Sequence, residues 1–88
     1  MVKNNINTSK TLYYTEPYVG VKVYYSYNTI IGIKEPYKDL VLSENVWSVT
    51  TAKHLSKIDG GSDLAKKSRM KNNHFKLHLE VAKHTYQF

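Results

Sequence analysis

Very short links join the strand-like segments in the N-terminal part of this chain. A β-rich region at residues 11–28 is followed by strand patterns at 29–33, 39–42 and 46–50, and turn-forming residues separate them. A parallel pair of strands needs a crossover of about a dozen residues or more, and none of these links is that long. The sequence therefore predicts an antiparallel meander of about four strands.

Proline and tyrosine determine what we expect of the β-rich region. Pro17 has no backbone N–H group, so residues 12–15 are predicted to form either a separate short strand or an extended edge. Farther along, the alternation of side chains places Tyr18, Lys22 and Tyr24 on one face of the sheet.

The periodicity changes from strand to helix shortly after the only tryptophan of the chain. Trp47 lies in the alternating segment 46–50, so we expect it to be largely buried in a strand. Apolar residues then recur at three-residue spacing, which predicts a short helix at 51–58 with Thr51 as its N-cap. Gly60 is suited to the left-handed conformation that commonly ends a helix.

The C-terminal part permits two interpretations. Ser62 is a suitable N-cap for a basic segment that ends at Lys71, which we predict to be a short helix or a loop. In the last segment, alternating apolar residues from Phe75 to Val81 favour a strand, although the spacing of Phe75, Leu79, Ala82 and Tyr86 also fits a helix. We predict the strand in preference to the helix.

Length and composition indicate one small α+β domain. The 88 residues leave no room for a second domain, so we expect a flexible arm at 1–10 and a single domain at 11–88. No apolar run approaches the roughly 20 residues of a membrane span, and the N-terminus lacks the apolar core of a secretory signal. The absence of cysteine fits a reducing cytoplasm. We expect a soluble monomer or small homo-oligomer without membrane association.

Two motifs resemble a known family. They are Tyr-Ser-Tyr-Asn-Thr-Ile-Ile-Gly at 25–32 and Trp-Ser-Val-Thr-Thr-Ala-Lys-His-Leu at 47–55. Together they are similar to a family of small uncharacterised proteins common in bacteriophages and mobile elements, which carry a Ser-Tyr-x-Thr strand and a Ser-Val-Thr-Thr-x-Lys-His strand-to-helix corner. This chain has Ile30 where the family usually has proline, and Trp47 where it usually has tyrosine. The resemblance implies a phage or mobile-element origin, and the family has no assigned activity. With the absence of cysteine, we expect the protein to lie in the cytoplasm of a host cell.

The net charge of +6 is concentrated in the C-terminal part. Residues 1–50 carry a net charge of +1, whereas residues 51–88 carry +5. Such asymmetry is typical of proteins that bind an anionic partner, and a solvated basic face is the simpler alternative. We predict that the protein binds nucleic acid, DNA or RNA, through six basic residues: Lys53, Lys57, Lys66, Lys67, Arg69 and Lys71.

Tyrosine is the most unusual feature of the composition. Seven of the eight tyrosines precede Lys38. Tyr18 and Tyr24, with Lys22 between them, are candidates for an aromatic contact with nucleic-acid bases. The alternative is that a tyrosine-rich sheet surface binds a protein, as in an inhibitor or modulator of a host enzyme or defence complex.

The residues do not combine into a catalytic or metal-binding motif. Ser48 and His54 are close in sequence, but no acidic residue is placed to orient the histidine, so we expect no catalytic site. His74 and His78 would be too far apart on a strand for joint metal binding, and no third ligand is evident. We therefore expect a protein without enzymatic activity, metal or cofactor.

Overall fold

A computed structural model, which describes residues 2–88, consists of one antiparallel sheet and three helices. The five strands lie in the order β1-β2-β3-β4-β5. The strands are β1 (Asn4–Asn5), β2 (Leu12–Tyr18), β3 (Val21–Ser26), β4 (Thr29–Lys34) and β5 (Val41–Leu42). The helices are α1 (Val49–Asp59), α2 (Asp63–Ser68) and α3 (Asn72–Tyr86). The predicted α+β class and antiparallel meander are confirmed.

Helix α3 packs on one face of the sheet. Its residues Phe75, Leu79 and Ala82 lie at helical spacing and are buried against Val23 and Ile33 of the central strands. Phe75 is only 1% exposed, which makes it one of the largest fully buried side chains of the protein. This packing holds the C-terminal part of the chain on the domain.

Helix α1 packs on the opposite face of the sheet. Leu55 of α1 is buried against Leu12, Ile31 and Leu42, and Ile58 packs at the margin of this cluster. The sheet therefore lies between two helical layers, and each face has its own apolar cluster.

A β-bulge in β4 explains why Ile31 and Ile33, which are two residues apart, face opposite sides of the sheet. The register shifts between Tyr24 and Tyr25 of β3, so that Ile31 is the extra residue opposite them. Ile31 packs with the α1 cluster, whereas Ile33 packs with the α3 cluster. Gly32 lies directly against the side chain of Leu42, which leaves no space for a Cβ atom.

A two-residue turn divides the β-rich region into two strands, which the alternation pattern did not predict. Val19 and Gly20 form the turn, and Gly20 has a φ of +81° that suits a tight hairpin. Pro17 lies in β2 at a second register shift, between Thr15 and Tyr18, where no ladder hydrogen bond is required of it. Asn4–Asn5, within the predicted arm, form β1 and pair with Tyr13 and Tyr14.

The prediction that residues 46–50 form a strand is wrong. Trp47 lies in the loop before α1 and is 38% exposed, so it is not largely buried as we expected. The helix begins two residues earlier than predicted, and its N-cap is Ser48, whose Oγ accepts a hydrogen bond from the Thr51 backbone N–H at 3.2 Å. Thr51 is instead a buried helix residue that faces the sheet.

The preference for a C-terminal strand is also wrong, because residues 72–86 form α3. Helical spacing buries Phe75, Leu79 and Ala82 on one face, at the cost of leaving Leu77 and Val81 67% and 68% exposed. Exposed aliphatic side chains are common on folded proteins, so this cost is small compared with the burial that α3 provides.

Candidate nucleic-acid interface

Helices α1 and α2 enclose a groove with a basic rim, which we call the basic groove. Its volume is about 370 Å³. It is lined by Val49, Ala52, Lys53, Ser56, Lys57, Lys66 and Arg69. Four of the six basic residues singled out in the sequence therefore contribute to a single concavity.

The connection between α1 and α2 creates this groove. Gly60 ends α1 in the left-handed conformation, with a φ of +88°, and its N–H donates to the Ser56 carbonyl oxygen at 2.8 Å. Ser62 then caps α2 by accepting a hydrogen bond from the Ala65 N–H at 3.1 Å. These predicted stop and start signals place α2 beside α1, so that Lys66 lines the same groove as Lys53 and Lys57.

Arg69 forms an internal ion pair with Asp59, so its guanidinium is not free to contact a phosphate. Its Nε and Nη2 donate to the two carboxylate oxygens of Asp59 at 2.8 and 2.9 Å, and its side chain is only 6% exposed. Burial alone would raise the pKa of Asp59, but the hydrogen bonds from Arg69 and from the Gly61 N–H outweigh it and lower that pKa. Arg69 therefore ties the end of α2 to the end of α1, and we no longer assign it a phosphate contact.

The remaining predicted cations differ in their surroundings. Lys71 forms an exposed ion pair with Glu44 at 3.8 Å, and Lys67 is exposed on α2 but does not line the groove. Lys53, Lys57 and Lys66 have no acidic partner within 4.0 Å among residues 2–88. Lys53, Lys57 and Lys66 are thus the cations that both line the groove and are available to an anion.

The predicted aromatic surface is divided between the two faces of the sheet. Tyr24 packs with the α1 cluster, whereas Tyr18 lies beside Tyr86 of α3, with ring centroids 5.9 Å apart. The turn at Val19 and Gly20, together with the bulge in β2, breaks the alternation that was expected to align Tyr18 with Tyr24. The prediction that Tyr18, Lys22 and Tyr24 share one face is therefore wrong.

Tyr14, rather than Tyr18, lies beside Tyr24, and the sequence did not predict this pair. Tyr14 pairs directly with Tyr24 across β2 and β3, with ring centroids 5.6 Å apart, and the Lys22 ammonium lies 4.9 Å from the centroid of the Tyr14 ring. Counting back from the hairpin turn would have suggested a different pair, because the bulge around Pro17 shifts the register by one residue. No local pattern in the sequence indicates that shift.

His54 is a buried member of a hydroxyl network under α1. Its Nδ1 lies 2.6 Å from the Ser26 Oγ, its Nε2 lies 3.4 Å from the Thr11 Oγ1, and the Ser26 Oγ also lies 3.3 Å from the Thr51 Oγ1. Ser48 contacts Thr51 rather than His54, so the pair considered in the sequence does not meet. Only 5% of His54 is exposed, which makes the network a means of fixing α1 on the sheet.

We expect the stability of the protein to fall as the pH is lowered through about 6.5, the usual pKa of histidine. Burial, with a smaller effect from the charge of Lys57, lowers the pKa of His54 in the folded protein. The unfolded chain therefore binds a proton at a higher pH than the folded protein does, so acidification favours unfolding. Urea unfolding at about pH 7.5 and about pH 5.5 measures this difference.

Two variants assign the effect to His54. His54→Gln should reduce the loss of stability between the two pH values, whereas His84→Gln, at an exposed position of α3, should leave it unchanged. Equal pH dependence in the parent and in His54→Gln would contradict the assignment.

A second polar cluster fixes the C-terminal helix. Glu35 is buried at the end of β4 and accepts hydrogen bonds from His78 Nε2 at 2.7 Å and from the Tyr86 hydroxyl at 2.9 Å. Burial raises the pKa of Glu35, but these two hydrogen bonds and the charge of nearby groups lower it overall. In the part of the chain that the structure describes, no three His, Asp or Glu side chains are arranged to hold a metal ion.

Comparison with known proteins identifies a family but no activity. A family of unknown function, DUF8033, matches residues 1–74, which include all five strands, α1, α2 and the first residues of α3. No curated protein and no solved structure shows a significant match to the chain. Within residues 2–88, no helix has the length and apolar character needed to cross a membrane. Because the match extends over most of the chain, this protein belongs to the DUF8033 family.

Proposed function

We propose that this protein is a small, non-enzymatic accessory protein of phage or mobile-element type that binds nucleic acid in the cytoplasm of a host cell. The observation that supports this function best is the basic groove, where Lys53, Lys57 and Lys66 line one concavity. Like charges on one concavity repel one another, and no acidic side chain of the described residues forms an ion pair with these three lysines within 4.0 Å. A polyanion offsets it, because one phosphate after another can lie along the groove.

The chemistry of the groove suits phosphate contacts. Lysine is a strongly hydrated point charge that binds phosphate without fixed geometry, which is typical of contacts that do not depend on sequence. Lys67 follows Lys66 in helix α2. It is exposed and adds positive charge beside the groove. We therefore propose binding that is sequence-neutral or weakly selective.

The alternative function, binding of a host enzyme or defence complex through a tyrosine-rich sheet surface, has less support. Helices cover much of both faces of the sheet, and Tyr13 and Tyr25 stack on each other with ring centroids 4.9 Å apart. Tyr13 is also buried. The most exposed tyrosine, Tyr37, lies in the turn after β4, away from these stacked rings. A protein partner becomes the leading proposal only if nucleic acid does not bind.

We expect Lys53→Gln combined with Lys66→Gln to weaken nucleic-acid binding and its dependence on salt. Each lost phosphate contact removes about 0.7 from the slope of log affinity against log salt for a single strand and about 0.9 for a duplex. The slope should therefore fall by about 1.4 or about 1.8 respectively. Fluorescence anisotropy of labelled oligonucleotides over a series of salt concentrations measures this slope.

The matched control is Lys76→Gln combined with Lys83→Gln, which removes the same charge from exposed positions of α3. This variant should bind with nearly the parent slope, since its lysines lie outside the groove. An equal loss in both variants would indicate a response to net charge alone. No binding by the parent protein at low salt would reject the proposed function.

A further inference from the structure

A second concavity lies next to the basic groove, on the α1 side of the sheet. It has a volume of about 240 Å³ and is lined by Ile6, Tyr14, Tyr24, Lys57 and Ile58. We call it the tyrosine cleft. Lys57 also lines the basic groove, so the two concavities share this side chain.

The position of α1 leaves the tyrosine cleft uncovered. The helix starts over the end of β3, where Thr51 and His54 contact Ser26, and its last turn brings Ile58 to the margin of the cluster that contains Tyr24. Its last residue is Asp59, so the helix does not extend over the tyrosine pair. The rings of Tyr14 and Tyr24 therefore form one side of an open space whose other walls are Ile6 and Ile58.

The walls and charges of the cleft specify the chemistry of a ligand. Two aromatic rings and two isoleucine side chains favour a planar, largely apolar group. Lys57 in the lining and Lys22, whose ammonium lies 4.9 Å from the Tyr14 ring centroid, supply positive charge beside the cleft. A planar group that carries an anion fits this combination, and a nucleobase with its phosphate is such a group.

We propose that the tyrosine cleft binds one base of a single-stranded nucleic acid whose backbone lies along the basic groove. Lys57 contacts the phosphate between the two concavities, and the base stacks on the exposed part of the Tyr14 and Tyr24 pair. A base in a duplex is already stacked and paired, so only an unpaired base enters the cleft without added cost. The protein therefore prefers single strands to duplexes. This inference rests on the proposed function and adds the class of nucleic acid to it.

The test compares Tyr14→Leu with the parent protein on a short oligothymidylate and on a duplex. Loss of one stacking ring should weaken single-strand binding about 5- to 150-fold, since stacking contributes about 1–3 kcal/mol per base, while duplex binding changes little. Tyr14→Phe keeps the ring and should retain single-strand affinity. Tyr18→Leu is the matched control, because Tyr18 is on the same strand but lies beside α3.

A measurement on the unaltered protein tests the cleft even if Tyr14→Leu does not fold. On addition of oligothymidylate, the NMR signals of the Tyr14 and Tyr24 rings should shift, whereas those of Tyr18 and Tyr37 should not. Binding of the oligonucleotide without a change at Tyr14 and Tyr24 would overturn the inference and leave the proposed function in place. A response to thymidine monophosphate but not to the oligonucleotide would overturn both, because the ligand would then be a free nucleotide.

Discussion

Phe75→Ala is expected to lower the free energy of unfolding by about 3–5 kcal/mol, the usual range when a fully buried phenylalanine is truncated. Phe75 is 1% exposed and lies in the cluster that α3 forms with Val21, Val23 and Ile33. Small domains have only about 5–15 kcal/mol of stability in total, so this variant should lose a large fraction of it. Urea unfolding followed by circular dichroism measures the loss.

Leu77→Ala is the matched control for Phe75→Ala. Leu77 lies two residues farther along α3 and is 67% exposed, so its truncation should change stability by no more than about 0.5 kcal/mol. In a strand, residues 75 and 77 would face the same side and would both be costly to truncate. Equal losses in the two variants would contradict the helix and restore the strand interpretation.

Arg69→Met is expected to destabilise the protein by about 3 kcal/mol, although it removes one positive charge from a protein with a net charge of +6. The reason is that Asp59 loses both hydrogen bonds from the guanidinium and keeps only the one from the Gly61 N–H, while its carboxylate stays largely buried without a counter-charge. Lys67→Met, which removes a cation from an exposed position of the same helix, should have almost no effect. Thermal and urea unfolding of the two variants give the comparison.

The pH dependence provides a second check on the Arg69–Asp59 pair. The pKa of Asp59 is lowered in the folded protein, so its stabilising contribution is present above the pKa of an unfolded aspartate, about 3.9, and is lost as the pH falls below it. Arg69→Met removes the main partner, so its stability should decline less between neutral and strongly acidic pH than that of the parent. A decline as steep as in the parent would argue against the pair as the cause.

The Arg69–Asp59 pair also determines which basic residues can test the proposed function. Arg69 lines the basic groove, but its guanidinium is bound to Asp59, so a loss of nucleic-acid binding in Arg69→Met would reflect a displaced α2. Lys53 and Lys66 are exposed and carry no such internal role among the described residues. Substitutions at these two lysines therefore test binding without a confounding loss of fold.

Local sequence signals were sufficient for the topology of the sheet and for several helix ends. Short links allowed only antiparallel neighbours, and this holds for every strand pair of the sheet. Gly60 ends α1 and Ser62 begins α2 as predicted, because each signal depends on the backbone conformation or side chain of one residue.

Tertiary structure decided the rest, because the deciding contacts join residues that are distant in sequence. The last segment satisfied both a strand and a helix pattern, and only the apolar face of the sheet, with Val23 and Ile33, selects the helix. The register shift around Pro17 places Tyr14 rather than Tyr18 beside Tyr24. Nothing in the sequence separates Arg69 from the basic residues around it. Only the folded structure shows that it pairs with Asp59. Periodicity and composition record what each residue prefers locally, whereas the partner that a side chain meets is fixed by packing.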